Sequence, residues 1–286
     1  MERPIVGIGE ILFDLLPSGA QLGGAPANFA YHVCRLGGRG VAVSAIGKDR
    51  LGEEVKTLLA SKKLEAVIPE VDYPTGVVHV DLDGRGVPQY TIVEDVAWDN
   101  VPYTQEMKEL ARNAAAVCFG TLAQRNPVTR ATVMNFIADM PADSLKVYDI
   151  NLRQHFYSRV IIEDSLRVAD ILKINDEEIA VVSDLLGLDA SPEQACRSLI
   201  SMYGLRLVIL TKGADGSEVI TPDAKYSVEC PKVKIADTVG AGDSFTAAFV
   251  QAYLRGDSIE NCHNIANRIS AFVCSRSGAM PDYDVA

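Results

Sequence analysis

A chain of 286 residues, 48% hydrophobic and 23% charged, has a globular composition, with room for one large α/β domain or a main domain with a small appendage. Its formal net charge of −11 argues against nucleic acid or an anionic membrane as partner, so an anionic substrate must be met by local cations or backbone N–H groups. Six scattered cysteines without a CxxC pair and four scattered histidines read as free thiols and structural or surface rings; with no apparent signal peptide and no run of transmembrane length, a cytoplasmic location is expected.

Residues 4–8 are a short apolar run suited to a buried strand. Gly9 and Glu10 end it, and ILFDLLP follows. Asp14 there either faces solvent at a strand end or points into a polar pocket. Gly23-Gly24-Ala25-Pro26-Ala27-Asn28 comes next. Pro26 fits the first turn of a helix ending at Gly37-Gly38, with Phe29, Val33 and Leu36 as its apolar stripe. The paired glycines allow close approach of a ligand, to which Asn28 offers an amide; a plain tight turn before a helix would look the same. Residues 41–46 read as a second strand and 51–59 as a helix with Glu53 and Glu54 at its positive end.

Near residue 66 the texture changes. Residues 75–81 and 89–94 are β-rich and flank DGRG, which predicts a hairpin with no helix beside it. Such an insert suits a lid, which would keep water from a transferable phosphoryl group. Trp98, the only tryptophan, follows at the return point. Strands at 116–119, 146–150, 171–174 and 207–210 then alternate with helical segments such as 129–138. Ser191-Pro192-Glu193-Gln194 has the form of a capping box. The strands run out into DINLR (149–153), NDEE (175–178) and TKG (211–213). Ligands of an open parallel sheet bind beyond its carboxyl ends, so these groups should share one edge. A helix over 259–274 and a turn over 277–281 close the chain.

The stretch that organises the rest is 237–249, DTVGAGDSFTAAF. Phe245, Ala248, Phe249, Ala252 and Tyr253 keep helical spacing, and Gly240, Ala241 and Gly242 lie just before, where backbone N–H groups lack intrahelical partners. That makes an anion cradle. A carboxylate beside it, Asp243, is repelled by the anion unless it has a role there. Taking the proton of a hydroxyl that attacks a phosphoryl group is one such role, and capping the helix is the plainer one. GxxxxGK[ST] is absent, and GIGEIL lacks the third glycine of a dinucleotide fingerprint.

DTVGAGD and GGAPAN together resemble the two signature regions of the ribokinase/PfkB family of carbohydrate kinases, the second stretch as written in its fructokinase branch, and the resemblance runs through almost the whole chain. It implies a ribokinase-like three-layer α/β/α fold with a mostly parallel central sheet: a core of residues 1–9, 23–65 and 100–286, and a discontinuous β lid of 10–22 and 66–99. It further implies Asp243 as catalytic base, Gly240, Ala241 and Gly242 as anion hole, and Asp14, Gly24 and Asn28 as sugar binders. Asn175 and Glu178 would act near the nucleotide phosphates, Glu178 on Mg2+ through water. Thr211, Gly213 and Gly216 would contact the nucleotide, and Asn267 would lie beside the adenine. Asp237, Val239, Val273, Arg276 and Gly278 would form a monovalent-cation loop, suited to K+. ATP and a sugar are the implied small-molecule partners, and a homodimer through the lid is the implied assembly. Ala25 stands where ribokinases carry Lys, which argues against ribose; DINLR resembles fructokinases and 2-keto-3-deoxygluconate kinases, with Arg153 open to the sugar, the γ-phosphate or a substrate carboxylate. The expectation is an ATP-dependent fructokinase, with a 2-keto-3-deoxygluconate kinase as the alternative and a non-catalytic sugar or nucleotide sensor as a distant one.

Overall fold

The computed structural model describes residues 3–16, 19–82, 88–188 and 191–283. Apolar runs give the strands of a large sheet: β1 (Ile5–Ile8), then, after two strands of a smaller sheet, β2 (Leu12–Leu16) and β3 (Gly19–Gly23), helix α1 (Ala25–Arg35) and β4 (Gly40–Val43). Next come β5 (Ile46–Gly47), α2 (Arg50–Ser61), β6 (Glu65–Val67), β7 (Glu70–Val71), β8 (Gly76–Leu82) and β9 (Pro88–Ile92). The rest is α3 (Gln105–Asn113), β10 (Ala116–Phe119), α4 (Pro127–Asp139), β11 (Leu145–Asp149), α5 (Arg159–Val168), β12 (Ile171–Asn175), α6 (Asp176–Leu186), α7 (Pro192–Tyr203), β13 (Leu207–Thr211), β14 (Ser217–Ile220), β15 (Lys225–Val228), α8 (Ala241–Leu254) and α9 (Ile259–Cys274).

The large sheet runs β15-β14-β13-β12-β11-β10-β1-β4-β6; its pairings are parallel from β6 to β13 and antiparallel at β14 and β15. Helices cover both faces, so these strands are apolar on both sides rather than alternating. Val6 and Ile8 pack with α3–α7, whereas Ile5 packs with Phe29, Phe245 and Phe249 of α1 and α8. This three-layer α/β/α arrangement is the expected one. It places the carboxyl ends of β1, β10, β11, β12 and β13 along one edge.

The small sheet runs β3-β2-β8-β9, with β8 and β9 antiparallel. The DGRG turn lies outside the described residues. The small sheet departs from the expected lid of 10–22 and 66–99: β3 runs on to Gly23, β6, at residues 65–67, belongs to the large sheet, and the small sheet resumes only at Gly76. Two further expectations need correction. The run 41–46 divides into β4 and β5. Ser191 precedes α7, but its side chain makes no capping bond. The reciprocal capping box forms at Asn175 and Glu178 instead.

At the root of the small sheet, Trp98 is fully buried in a short 3-10 turn (Ala97–Asn100). The Arg125 guanidinium lies 4.0 Å from its ring centroid and 4.5 Å from that of Phe156, and pairs with Asp99 at 2.7 Å. A Cβ on Gly76 would come within 2.3 Å of the indole nitrogen, so β8 starts where only glycine fits.

Candidate active site

Gly240 caps α8 with φ +78°, a conformation glycine adopts freely, and a Cβ there would meet the Ala279 carbonyl at 2.7 Å. The turn leaves the amides of Gly240, Gly242 and Asp243 without a hydrogen bond to any described residue, while Ala241 N–H turns back to the Thr238 carbonyl at 3.3 Å. Three free donors at a helix N-terminus are an anion site by construction. Ala241, expected as the middle donor, is partly spent on the turn.

Asp243 lies in the first turn of α8 and accepts a hydrogen bond from Asn28 Nδ2 at 2.8 Å. The two residues come from α8 and α1, which pack side by side. Burial pushes the Asp243 carboxyl up to about 6, and the Asp149 charge adds to this; the Asn28 bond, Lys173 and Arg153 pull the other way. A carboxyl held there is ionised near neutrality yet basic enough to take a proton. Asp14 lies on β2, half-buried, its carboxyl raised by burial and drawn back by the Arg153 charge. A Cβ on Gly23 would strike the Asp14 carboxylate at 2.8 Å, and one on Gly24 the Glu10 carbonyl at 2.4 Å, so this glycine pair lets the two acidic residues close on the start of α1. Arg153 is exposed and makes no ion pair among the described residues, but its charge reaches Glu10, Asp14 and Asp243.

Sequence reasoning missed the inner wall. Lys173 and Asp149, neighbours in register on β12 and β11, form a buried pair at 2.9 Å, and Thr246 of α8 donates to Asp149 at 2.9 Å. Burial alone would lower the Lys173 pKa; the Asp149 charge and bond outweigh it and the net shift is upward. A Cβ on Gly242 would stand 3.0 Å from Lys173 Nζ, so the ammonium lies against the first turn of α8 at Gly242. The usable signal was a lone Lys in ILKIN and a lone Asp in LKVYD, each out of place in a buried strand. Asn151 and Gln154, in the loop after β11, have φ of 44° and 49°; Gln154 donates to the Tyr90 carbonyl of β9 at 2.6 Å, tying this loop to the small sheet.

On the far side of the α8 N-terminus a cavity of about 470 Å³ is lined by Thr211, Gly213, Gly216, Asn267, Ala241 and Gly242, with Val233, Ile235, Phe245 and Ala271 as apolar wall. Asn267 donates to Ser217 Oγ at 3.2 Å. The size and mixed lining fit a nucleotide. Asn175 and Glu178 brace the chain where β12 passes into α6. Glu178 accepts from the amides of Asn175 at 2.9 Å and Leu152 at 2.8 Å, and Asn175 accepts from the Glu178 amide at 2.8 Å. Burial raises the Glu178 pKa, with these amides and Lys173 opposing. No three His, Cys, Asp or Glu side chains converge as metal ligands among the described residues.

The 237–239 loop meets the 274–278 loop: Asp237 accepts from the amides of Val239 and Gly278, each at 3.0 Å, and its own N–H donates to the Cys274 carbonyl at 3.2 Å. The Val273 carbonyl accepts the Arg276 N–H at 2.9 Å, and the Arg276 guanidinium lies 5.0 Å from the Phe272 ring.

Known proteins give this geometry its setting. A sugar kinase from Pyrococcus horikoshii, described as uncharacterized and solved in complex with ATP, is 28% identical; the match covers 96% of this chain and 94% of that one, with a TM-score of 0.81. Fructokinase from Vibrio cholerae O395, solved with fructose, ADP and calcium ion, is 25% identical over 98% of this chain and 95% of that one, with a TM-score of 0.82. Fructokinase-2 of Oryza sativa subsp. japonica is 28% identical over 97% of this chain and 90% of its own length. No helix among the described residues is long and apolar enough to cross a membrane. Residues 19–285 match the pfkB family of carbohydrate kinases, and the chain belongs to that family, as a phosphotransferase acting on a sugar hydroxyl.

Proposed function

We propose that this kinase transfers the γ-phosphoryl group of ATP to D-fructose, giving fructose 6-phosphate and ADP. The observation that carries the reading is the Asn28–Asp243 contact of 2.8 Å at the mouth of α8. It brings a sugar-side amide and a buried carboxylate together beside free backbone donors.

In this reading Asp14, Gly24, Asn28 and Arg153 hold the sugar and Asp243 takes the proton of its terminal hydroxyl. The amides of Gly240, Ala241 and Gly242, with Lys173 against Gly242, offset the negative charge that spreads over the migrating group. Thr211, Gly213, Gly216 and Asn267 hold the nucleotide, and Asn175 and Glu178 fix the loop near its phosphates. Glu178 would hold Mg2+ through water, and the ion, when bound, would neutralise phosphate charge. Asp237, Val239, Val273, Arg276 and Gly278 form the candidate K+ loop that braces the anion hole from behind. Pairing of two copies through the small sheet, where Tyr90 is 57% exposed, completes the proposal. The fructokinase relatives support the choice of sugar. A coupled ADP-release assay across fructose, 2-keto-3-deoxygluconate, ribose and adenosine tests it: fructose should give the highest kcat/KM, and a higher value with any other acceptor refutes it.

A further inference from the structure

Glu10 belongs to none of the roles above. It follows β1, is 4% exposed, and the donors acting on its carboxyl among the described residues are two backbone amides, its own and that of Ala25 at the start of α1. It lines a cavity of about 10 Å³ that Asp243, Asp149, Asn151 and Thr121 also line, between the start of α1 and the carboxyl ends of β10 and β11. Pro26, Phe29, Phe119 and Leu122 add apolar wall, and the cavity has room for one water held by this group of polar side chains, and too little for a sugar.

In the kinase reading each turnover leaves a proton on Asp243, with the sugar on its outer side. The groups that face the cavity from the packed elements limit where that proton can go. Asp149 of β11 is engaged by Lys173 and Thr246. The Cys118 thiol of β10 is pushed far up by burial and is no acceptor at neutral pH, and Arg153 and Lys173, which do not line the cavity but whose charges reach Asp243, are cations. That leaves one carboxylate.

We propose that Glu10 is the proton acceptor behind Asp243, linked to it through a single water in this cavity; the inference rests on the kinase reading. As the sugar oxygen bonds to phosphorus, its O–H bond breaks and the proton passes to Asp243. Asp243 passes it to the water, which gives one of its protons to Glu10, and Glu10 releases it to solvent once the products leave. No oxidation is involved. Burial, opposed by its own amide, and the nearby Asp243 charge bring the Glu10 carboxyl up to about 7, close to that of the group it would serve.

The test is Glu10→Gln, with Glu10→Asp as the second variant, after the wild type has shown turnover with a sugar. Glu10→Gln should lower kcat about tenfold with sugar KM within twofold. The acid limb of its pH profile should move to lower pH, because Asp243 loses a neighbouring negative charge. Glu10→Asp, which keeps a carboxylate, should recover part of kcat. An unchanged kcat and pH profile in Glu10→Gln, or a loss confined to sugar KM, overturns the relay. If Glu10→Gln does not fold, Glu10→Asp decides alone: a kcat below wild type with sugar KM unchanged supports the relay, and a wild-type kcat or a loss confined to sugar KM overturns it. A wild type inactive on every sugar would instead refute the kinase reading.

Discussion

Around Asp243 the protein is dense and charged: Asp149, Lys173, Thr246, Asn28 and Glu10 crowd one corner, each buried or nearly so. Across the start of α8, the 470 Å³ cavity has apolar walls, of which Ile235 is 64% exposed. The chemical side is set before any ligand arrives, since electrostatic stabilisation works best when its dipoles need not reorganise. The cavity, proposed above as the nucleotide site, offers shape and apolar surface with a few polar anchors, as a site that must release its product can. The cost of preorganisation is stability, because carboxyls in the dense corner are held away from their preferred charge state.

Changes on the two sides should therefore differ in kind. Asp243→Asn should cost about 10³-fold in kcat, within the usual range for a general base, while ATP affinity by calorimetry stays within twofold; substantial residual turnover refutes the base. Wild-type kcat/KM should fall as pH drops through about 6, where Asp243 takes up its proton. Lys173→Met should cost about 3–5 kcal/mol by denaturant unfolding, since it strands Asp149 in the interior. A loss below about 1 kcal/mol would mean that Asp149 is not stranded without the ammonium.

The same corner predicts one gain. The folded-state pKa of Asp243 lies above its unfolded value, so its ionisation opposes folding at high pH and has no effect once both states are protonated. Asp243→Asn should accordingly be more stable than wild type by on the order of 2 kcal/mol at pH 8, the gap closing towards pH 4. Equal unfolding midpoints at pH 8 would contradict the strained corner. The smallest effect belongs to the open side: Asn267→Ala should raise the KM for ATP roughly fivefold through loss of about one hydrogen bond, with kcat unmoved. A fall in kcat instead would mean that the two sides are coupled.

What the sequence made legible was local. DTVGAGD carries its own turn chemistry, so the free amides and the acid beside them could be read from thirteen residues. The ends of β11, β12 and β13 were readable because apolar runs stop there. The inner wall was not, because it exists only through register: Asp149 meets Lys173 across two parallel strands separated by α5, a helix that also went unread. Glu10 was passed over as the end of a strand, since nothing in GIGEIL says which way its side chain turns. The capping boxes show the same limit: Ser191 had the right letters and forms none, whereas NDEE forms one because the Leu152 amide also holds Glu178 in place.

Trp98 is the only indole in the chain, and it is wedged between Gly76 of β8 and the Arg125 guanidinium. Ultraviolet emission excited at the tryptophan band must then originate from this one spot, where the small sheet leaves the large one. A stopped-flow fluorescence trace on mixing with sugar thus follows the joint between the two sheets, with no dye attached and no second fluorophore of its kind to subtract.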